Sequence, residues 1–545
     1  MRWLPPVVPG PDQLAVLAAS PWPEFQRWLS VSALTSTKTW WAMRRSALRM
    51  TAPPRLSLLM PVHDTVPGEL IEAVASIRRQ AYPFWEICIV DDGSRRADTL
   101  AALDAVSQDP RIRLWRHPLS LGISAATNRA LAGASGDFVA FVDHDDRLTP
   151  DALWWVAETL HREPDCDLVY SDRDMLDAQG QRVMYLLKPA WSPESLLSGN
   201  YLFHLVTCRR SLLEHLGGLR SEYDGSQDYD LMLRLAETDP KVRHIPRVLY
   251  DWRQSAASIS TDDEHKAYVF SAGMAALAAA MERRGFRCPV SELKGLWRGN
   301  YRVHLPRPAA SRWKLLPLTR ADLPAYRDRL LRALVTCRDG QRLVVLGPGV
   351  EPMDGDALAE LVAWLDLPGV IAATGRVTNP EDRYLHAGLV HRPSGIPLPL
   401  YLGHPDSDPG YLAFAWVLRN ISAPHPLCLA LNAAEFRPLL EEAAAFEGPH
   451  ALLQAMLRGI GRGKRAVFVP FARFTGRDEE PFVTPWSPGE AQLFAHRWGR
   501  WLREGDPCYH PALSLDEVDC RLRETADFPS VLPIARCGYG AHASL

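Results

Sequence analysis

Between Pro53 and Asp146 the chain alternates short apolar runs with stretches of helical spacing, and the apolar runs lead into polar residues. LSLLMPV (56–62), FWEICIV (84–90), RIRLWRH (111–117) and DFVAFVD (137–143) are short and closely flanked by turn residues, which predicts buried strands. ELIEAVASIRRQ, ADTLAALDAV and ISAATNRALAGA lie between them and place apolar residues three and four apart, as one face of a helix does. Such alternation requires right-handed crossovers, hence an α/β fold with a largely parallel sheet covered by helices on both faces. Ligands bind such sheets beyond the carboxyl ends of the strands, so function is sought directly after each run.

His63-Asp64 follows the first run, Asp91-Asp92-Gly93-Ser94 the second and Asp143-His144-Asp145-Asp146 the fourth. Three acidic clusters on one rim repel one another unless a cation and a hydrogen-bonded ligand relieve them. Asp143 and Asp145, at i and i+2, can place oxygens on Mg²⁺ or Mn²⁺, and the cation can bridge the phosphates of a diphosphate leaving group. A capped helix start before Thr149-Pro150 explains part of the same motif. In DDGS, Gly93 permits a tight turn and Asp92 can accept bonds from a base or ribose; an Asx-turn closing the strand is the alternative. In DGSQDYDLMLRL, Asp228 and Asp230 open a helix whose dipole favours the anion. Asp228 reads either as a helix cap or as a general base that deprotonates an acceptor hydroxyl.

Six segments carry a resemblance in their order and spacing: PRLSLLMPVHD, IVDDGS, LGISAATNRALAGASGDFVAFVDHDDRLTPDAL, DLVYSDRD, LGGLRSEYDGSQDYDLMLRL and HIPRVLYDWR. Over residues 55 to about 260 the chain resembles the family-two glycosyltransferases, in the flavour that builds bacterial O-antigens and other surface polysaccharides. The resemblance implies a GT-A fold, Rossmann-like, and inverting transfer from a nucleotide-diphosphate sugar, UDP or dTDP foremost, with Mn²⁺ or Mg²⁺ as cofactor. It also implies a glycan or lipid-linked glycan as acceptor. Carried over, Pro61, Val62, His63 and Asp64 border the base and Asp92 binds it. Asn128 faces the nucleotide, Asp143 contacts ribose or metal, Asp145 is the main metal ligand and Asp228 the catalytic base. His63-Asp64 departs from the family's usual aromatic or polar residue followed by Asn. Outer candidates are Trp252 and Arg253, towards acceptor or pyrophosphate, and Lys188 and Trp191, towards the sugar. His144 reads as a solvent-facing spacer and His244 as a satisfied histidine beside the sheet, each with metal contact as the alternative.

The 545 residues carry a formal charge of -3, without the basic field of a nucleic-acid binder. Nine cysteines without a CxxC pair suggest neither zinc nor a disulfide framework, and fit a reducing cytoplasm. A cleaved signal peptide is not expected, and no apolar run reaches the roughly 18–20 residues of a membrane span. Trp40, Trp41 and Met43 beside Lys38, Arg44, Arg45 and Arg49 read as a helix packed on the next domain, or as a peripheral contact with the inner face of a membrane.

Residues 1–50 are expected to be a helical segment, 51–305 the transferase domain, 306–525 a second α/β module and 526–545 a tail. RLVVLGPGVEPMDGDALAELVAWL (342–365) aligns without gaps to DFVAFVDHDDRLTPDALWWVAETL, which sets Asp143 opposite Pro348 and Asp145 opposite Val350. LPGVIAATG echoes PDCDLVYSD, PLCLALNAAEF echoes LVTCRRSLL, and LLQAMLRGIGRGKRAVFVP echoes DYDLMLRLAETDPKVRHIP, setting Asp228 opposite Leu452. The second module therefore reads as a truncated GT-A-like repeat without metal ligands or base; a coincidental α/β domain is the alternative. Two other functions compete. A sugar-nucleotide pyrophosphorylase requires a Gly-rich, Arg-containing loop after the first strand, which VHDTVPGEL does not supply. A non-catalytic glycan-assembly scaffold does not require the acids that the first half keeps.

Overall fold

The structure, a computed structural model, describes residues 5–17, 19–254, 267–483, 485–524 and 535–536. Most of the expected tail lies outside the described residues, as does Lys266, expected to open the helix that runs Ala267–Arg283. Two units emerge: Met1–Lys188 with Asn200–Ala280, and Pro189–Gly199 with Met281–Glu524.

Three helices, α1 (Pro11–Leu17), α2 (Pro23–Ser32) and α3 (Thr37–Leu48), lead into the first unit. Trp28 and Trp40 are fully buried, and the Trp40 indole donates to the carbonyl of Arg79 at 2.9 Å. Phe25 stacks on Tyr185 at 4.2 Å. These aromatic residues pack inward on the unit, and burial of each large ring contributes on the order of 2 kcal/mol. Among the described residues no helix is long and apolar enough to cross a membrane.

The strands are β1 (Leu56–Val62), β2 (Trp85–Asp91), β3 (Ile112–Arg116), β4 (Phe138–Phe141), β5 (Arg147–Leu148), β6 (Leu168–Leu176), β7 (Arg182–Leu186), β8 (Val206–Arg209) and β9 (Val242–Arg253). The helices continue as α4 (Pro67–Arg78), α5 (Ala97–Val106), α6 (Ile123–Gly133), α7 (Ala152–Arg162), α8 (Arg210–His215), α9 (Gln227–Ala236) and α10 (Ala267–Arg283). The four apolar runs become β1 to β4, and the three helical stretches between them become α4 to α6. The main sheet runs β9-β6-β8-β4-β1-β2-β3, with β5 on β9 and β7 on β6. Pairing is parallel from β4 through β1 and β2 to β3 and again between β6 and β9, while β8 runs antiparallel to both neighbours. The chain between β6 and β8 carries β7 and no α-helix of the kind that usually makes a parallel crossover. This is the mixed α/β sheet of the GT-A fold. Leu58, Met60, Ile87, Ile89 and Ala140 are fully buried in it. The register sets Val62 beside Asp91 and Asp91 beside Arg116, so the segments after β1, β2 and β3 share one rim.

The second unit has a sheet ordered Trp313–Pro317, Arg342–Leu346, Cys428–Asn432, Val370–Thr378, Arg465–Gly476, Val350–Pro352. Its successive pairings are parallel, antiparallel, antiparallel, parallel and antiparallel. The run β1-β4-β8-β6-β9-β5 has the same five senses in the same order. Between residues 308 and 342 there are only one strand, Trp313–Pro317, and one α-helix, Tyr326–Val335, and the strands Val290–Glu292 and Tyr301–Val303 form a separate hairpin, so β2 and β3 have no counterpart in this sheet.

Candidate active site

The rim after β1 and β2 is tied together by its own polar groups. The Asp64 carboxylate accepts from the backbone N–H of Arg95 at 2.7 Å and of Arg96 at 2.9 Å. His63 donates its Nδ1 proton to the carbonyl of Asp92 at 2.8 Å and is otherwise exposed. His144 likewise donates to the carbonyl of Pro61 at 3.1 Å, which ties the turn after β4 to β1 instead of leaving the ring a solvent-facing spacer. Val62 is buried, and its carbonyl accepts from the Asp92 N–H at 2.8 Å. Gly93 has φ +73°, and a Cβ there would lie 2.5 Å from the Leu119 carbonyl carbon. Only glycine lets the two loops approach this closely.

The turn after β4 is the most acidic part of the rim. Ligand atoms of Asp143, Asp146 and His204 all lie within 4.8 Å of one another. Tyr250, fully buried, connects the three. Its hydroxyl donates to Asp146 at 2.7 Å and accepts from the Asp143 N–H at 3.2 Å. Its ring stacks on His204 at 4.7 Å. Arg253 clamps the turn from outside. Its backbone N–H donates to Asp146 at 2.7 Å, its Nε donates to the Asp145 carbonyl at 2.9 Å, and its guanidinium also pairs with Glu72 on α4. The sequence-predicted ligand Asp145 is not in the three-residue group; its charge bears on Glu69, on the first turn of α4.

The electrostatics follow from this crowding. Burial, then the negative charges of Asp145 and Asp228, push the Asp143 carboxyl up to about 7. Some 41% of its side chain is accessible, so water moderates the push. Burial, then repulsion from Asp143 and Asp145, holds Asp146 well above the usual range. Burial, then Arg173 and Lys188, keeps His204 neutral, well below the ordinary imidazole value. Two crowded carboxylates and one neutral imidazole fit a divalent cation as a donor set.

Asp228 is the second residue of α9, not its N-cap, which is Ser226. The carboxylate accepts from the Tyr229 N–H at 2.8 Å and from the Asn200 amide at 3.0 Å, and burial raises its pKa. Asp230, two residues on, is fully buried in an ion pair with Arg220 and Arg234 and holds the helix in place.

Several predicted contacts are taken up by the protein itself. Asp92, expected to bind a base, is 4% exposed. It accepts from His117 Nδ1 at 2.7 Å, Ser120 Oγ at 2.7 Å, the Leu121 N–H at 2.9 Å and the Gly122 N–H at 3.0 Å. It anchors the loop before α6. Asn128, expected to face the nucleotide, exchanges two 2.8 Å bonds with the backbone of Leu219. Lys188, expected on the sugar, is 1% exposed and donates its ammonium to the carbonyls of Leu202, Phe203 and His204. Trp191 is buried within the second unit. Trp252 is half-buried, and the guanidinium of Arg173 lies over its ring at 4.7 Å and over Phe203 at 4.7 Å. His244 is fully buried against Asp172 at 2.8 Å. The residues missed from sequence are His204, Tyr250 and Glu72, and Asp146 is legible there only as part of the acidic cluster, with no role of its own. A lone histidine inside the apolar run YLFHLV was the one available signal for His204.

In the second unit Leu452 stands in the helix His450–Gly461, where the alignment places it opposite Asp228. The N–H groups of Glu447 and Gly448 just before this helix donate to Glu490 at 2.7 and 2.9 Å, and Phe494 packs on His450 at 5.7 Å. The helix end that carries Asp228 in α9 here packs against the unit's own Glu490 and Phe494.

Residues 57–215 match the family model for glycosyl transferase family 2, and that stretch is a domain of this family. The chain is 27% identical to an uncharacterized protein y4gI of Sinorhizobium fredii, over 88% of this chain and 61% of the relative. It is 29% identical to the O-antigen biosynthesis protein RfbC of Myxococcus xanthus, over 91% of this chain and 43% of that protein. The chain thus spans about half the length of these relatives. A putative glycosyltransferase EpsE of Bacillus subtilis matches at 25% identity over 48% of this chain and 94% of its own length.

Proposed function

We propose that the first unit is an inverting glycosyltransferase that moves a sugar from a nucleotide-diphosphate donor, UDP or dTDP foremost, to a hydroxyl of a glycan or lipid-linked acceptor in surface polysaccharide synthesis. One observation carries the reading. On a family-two fold, Asp143, Asp146 and His204 bring their ligand atoms within 4.8 Å of one another after β4, and Asp228 stands in the first turn of α9. Asp228 accepts the proton of the acceptor hydroxyl, a task that suits a carboxylate whose pKa burial raises. The freed oxygen attacks the anomeric carbon as the bond to the diphosphate breaks, and attack from the opposite face inverts the configuration. A bound Mn²⁺ or Mg²⁺ would supply neutralisation of charge on the departing diphosphate, and Asp143 with the neighbouring carboxylates Asp145 and Asp146 would hold it. Arg253 keeps the turn in place. Pro61, Val62, His63 and Asp64 wall the base pocket, and Asp92 shapes it through the 117–122 loop.

The second unit is inferred to be a non-catalytic repeat, because Pro348, Val350 and Leu452 stand where the first unit has its acids. The reaction is assigned to the cytoplasmic side, with peripheral attachment to the inner membrane face as a further part of the reading. Calorimetric titration of UDP-, dTDP- and GDP-sugars with and without Mn²⁺, on wild type and Asp143→Ala, tests it. Metal-dependent binding of one nucleotide class, lost in the variant, is expected. Absence of binding by every nucleotide would leave the scaffold reading in its place.

A further inference from the structure

We propose that His204 is a nitrogen ligand of the divalent cation at the acidic turn, which makes the site one for Mn²⁺ ahead of Mg²⁺; this rests on the transferase reading above. His204 Nε2 lies 3.8 Å from Asp143 Oδ2. That is too long for a hydrogen bond. Two donors that each bind one ion at about 2.1 Å lie roughly 3–4 Å apart, so the spacing is that of a shared ion. The Asp146 oxygens already accept from Tyr250 and from the Arg253 N–H, whereas the Asp143 carboxylate accepts no hydrogen bond from the described residues.

The ring is aimed from several directions. His204 takes φ +50°, in the left-handed region, where non-glycine residues are uncommon and point to a functional constraint. Lys188 holds that conformation by donating to the carbonyls of 202, 203 and 204. Tyr250 stacks on the face of the ring while its hydroxyl bonds Asp146. One buried tyrosine therefore fixes the imidazole relative to the acidic turn. Imidazole nitrogen suits first-row transition ions, whereas Mg²⁺ prefers oxygen donors and retained water. The histidine therefore acts as a selectivity element that two carboxylates alone would not provide.

The test is pulsed electron paramagnetic resonance on the full chain loaded with Mn²⁺ and UDP. Wild type is expected to show ¹⁴N coupling from a coordinated imidazole, and the coupling should change to that of ¹⁵N when only histidine is isotopically labelled. This arm needs no variant and so no assumption about folding. His204→Gln should bind Mn²⁺ at least about tenfold more weakly, with a smaller loss for Mg²⁺. Bound Mn²⁺ without nitrogen coupling in wild type would overturn the proposal and leave the transferase reading intact. Failure of Mn²⁺ to bind with UDP would overturn both. Equal losses for Mn²⁺ and Mg²⁺ in His204→Gln would overturn the selectivity.

Discussion

Replacing Asp92 with Asn separates two roles that sequence alone would merge. The carboxylate receives His117 on one oxygen, Ser120 and the Gly122 N–H on the other, and the Leu121 N–H on both. An amide of the same shape can accept on one side only, so either His117 or the pair Ser120 and Gly122 loses its acceptor. Ser120 can rotate to accept from the new NH₂, but the Gly122 N–H cannot. Hydrogen bonds to a charged acceptor contribute about 1.5–3 kcal/mol each, and less where water can replace them. The 117–122 loop is largely open to solvent, which places the loss near 2 kcal/mol. For a unit of this size that is a fall in Tm of roughly 4–8 °C. The same bonds lower the Asp92 pKa against the opposing effect of burial. This stabilisation is thus present above the unfolded carboxyl value and disappears as pH falls through the folded one, below about pH 4. Urea unfolding of both proteins at pH 7 and pH 3.5, with UDP titration at pH 7, measures the effect. If Asp92→Asn weakens UDP binding while unfolding at pH 7 is unchanged, Asp92 serves the base directly and the anchoring argument fails.

Three more outcomes are expected. Asp228→Asn should lower turnover by about 10²–10⁴-fold with donor affinity within a few fold, and wild-type turnover should decline with acid as the raised Asp228 carboxyl is protonated; a fully active variant removes it as the base. Tyr250→Phe keeps the stack on His204 but leaves Asp146 without its hydroxyl partner. It should cost about 1–2 kcal/mol of stability and weaken Mn²⁺, read by calorimetry; unchanged Mn²⁺ affinity would show that Tyr250 does not organise the site. In the second unit burial pushes His425 down to about 3, so the unfolded state binds its proton first. Stability should be full above about pH 6.5 and fall by about 1.4 kcal/mol per pH unit below it, with a slope shallower by one proton in His425→Phe, and equal slopes would contradict the burial argument.

The sheet was legible because β1, β2 and β4 are buried along most of their length, so their apolar runs stood out against turn residues. The rim was legible for the same reason: acidic residues cannot continue such a strand and had to mark its end. Partner choice was not legible. Asp92 and Asn128 have the same residue types whether they face a ligand or cap a loop, and the choice depends on Ser120 and Leu219, which are 28 and 91 residues away. Lys188 misled because an ammonium in a loop reads as solvent-exposed, whereas here three carbonyls replace its water. His204 and Tyr250 were hidden because both sit in or beside apolar strand sequence, where an aromatic ring signals packing first.

The second sheet shows which part of this architecture is maintained by packing and which by chemistry. Its six strands keep the order and pairing senses of the first, and register in a sheet is enforced wherever both faces are buried. Nothing in that constraint requires an acid after the strand Arg342–Leu346, and Gly347-Pro348-Gly349 now stands there. At the helix end opposite Asp228, Glu490 accepts from the adjacent N–H groups and Phe494 covers His450. A carboxylate placed at Leu452 would therefore enter a fully buried position, where an unpaired charge is strongly disfavoured. Packing at this helix end leaves no accessible place for a carboxylate in the second unit, whereas the first unit keeps Asp143 partly accessible.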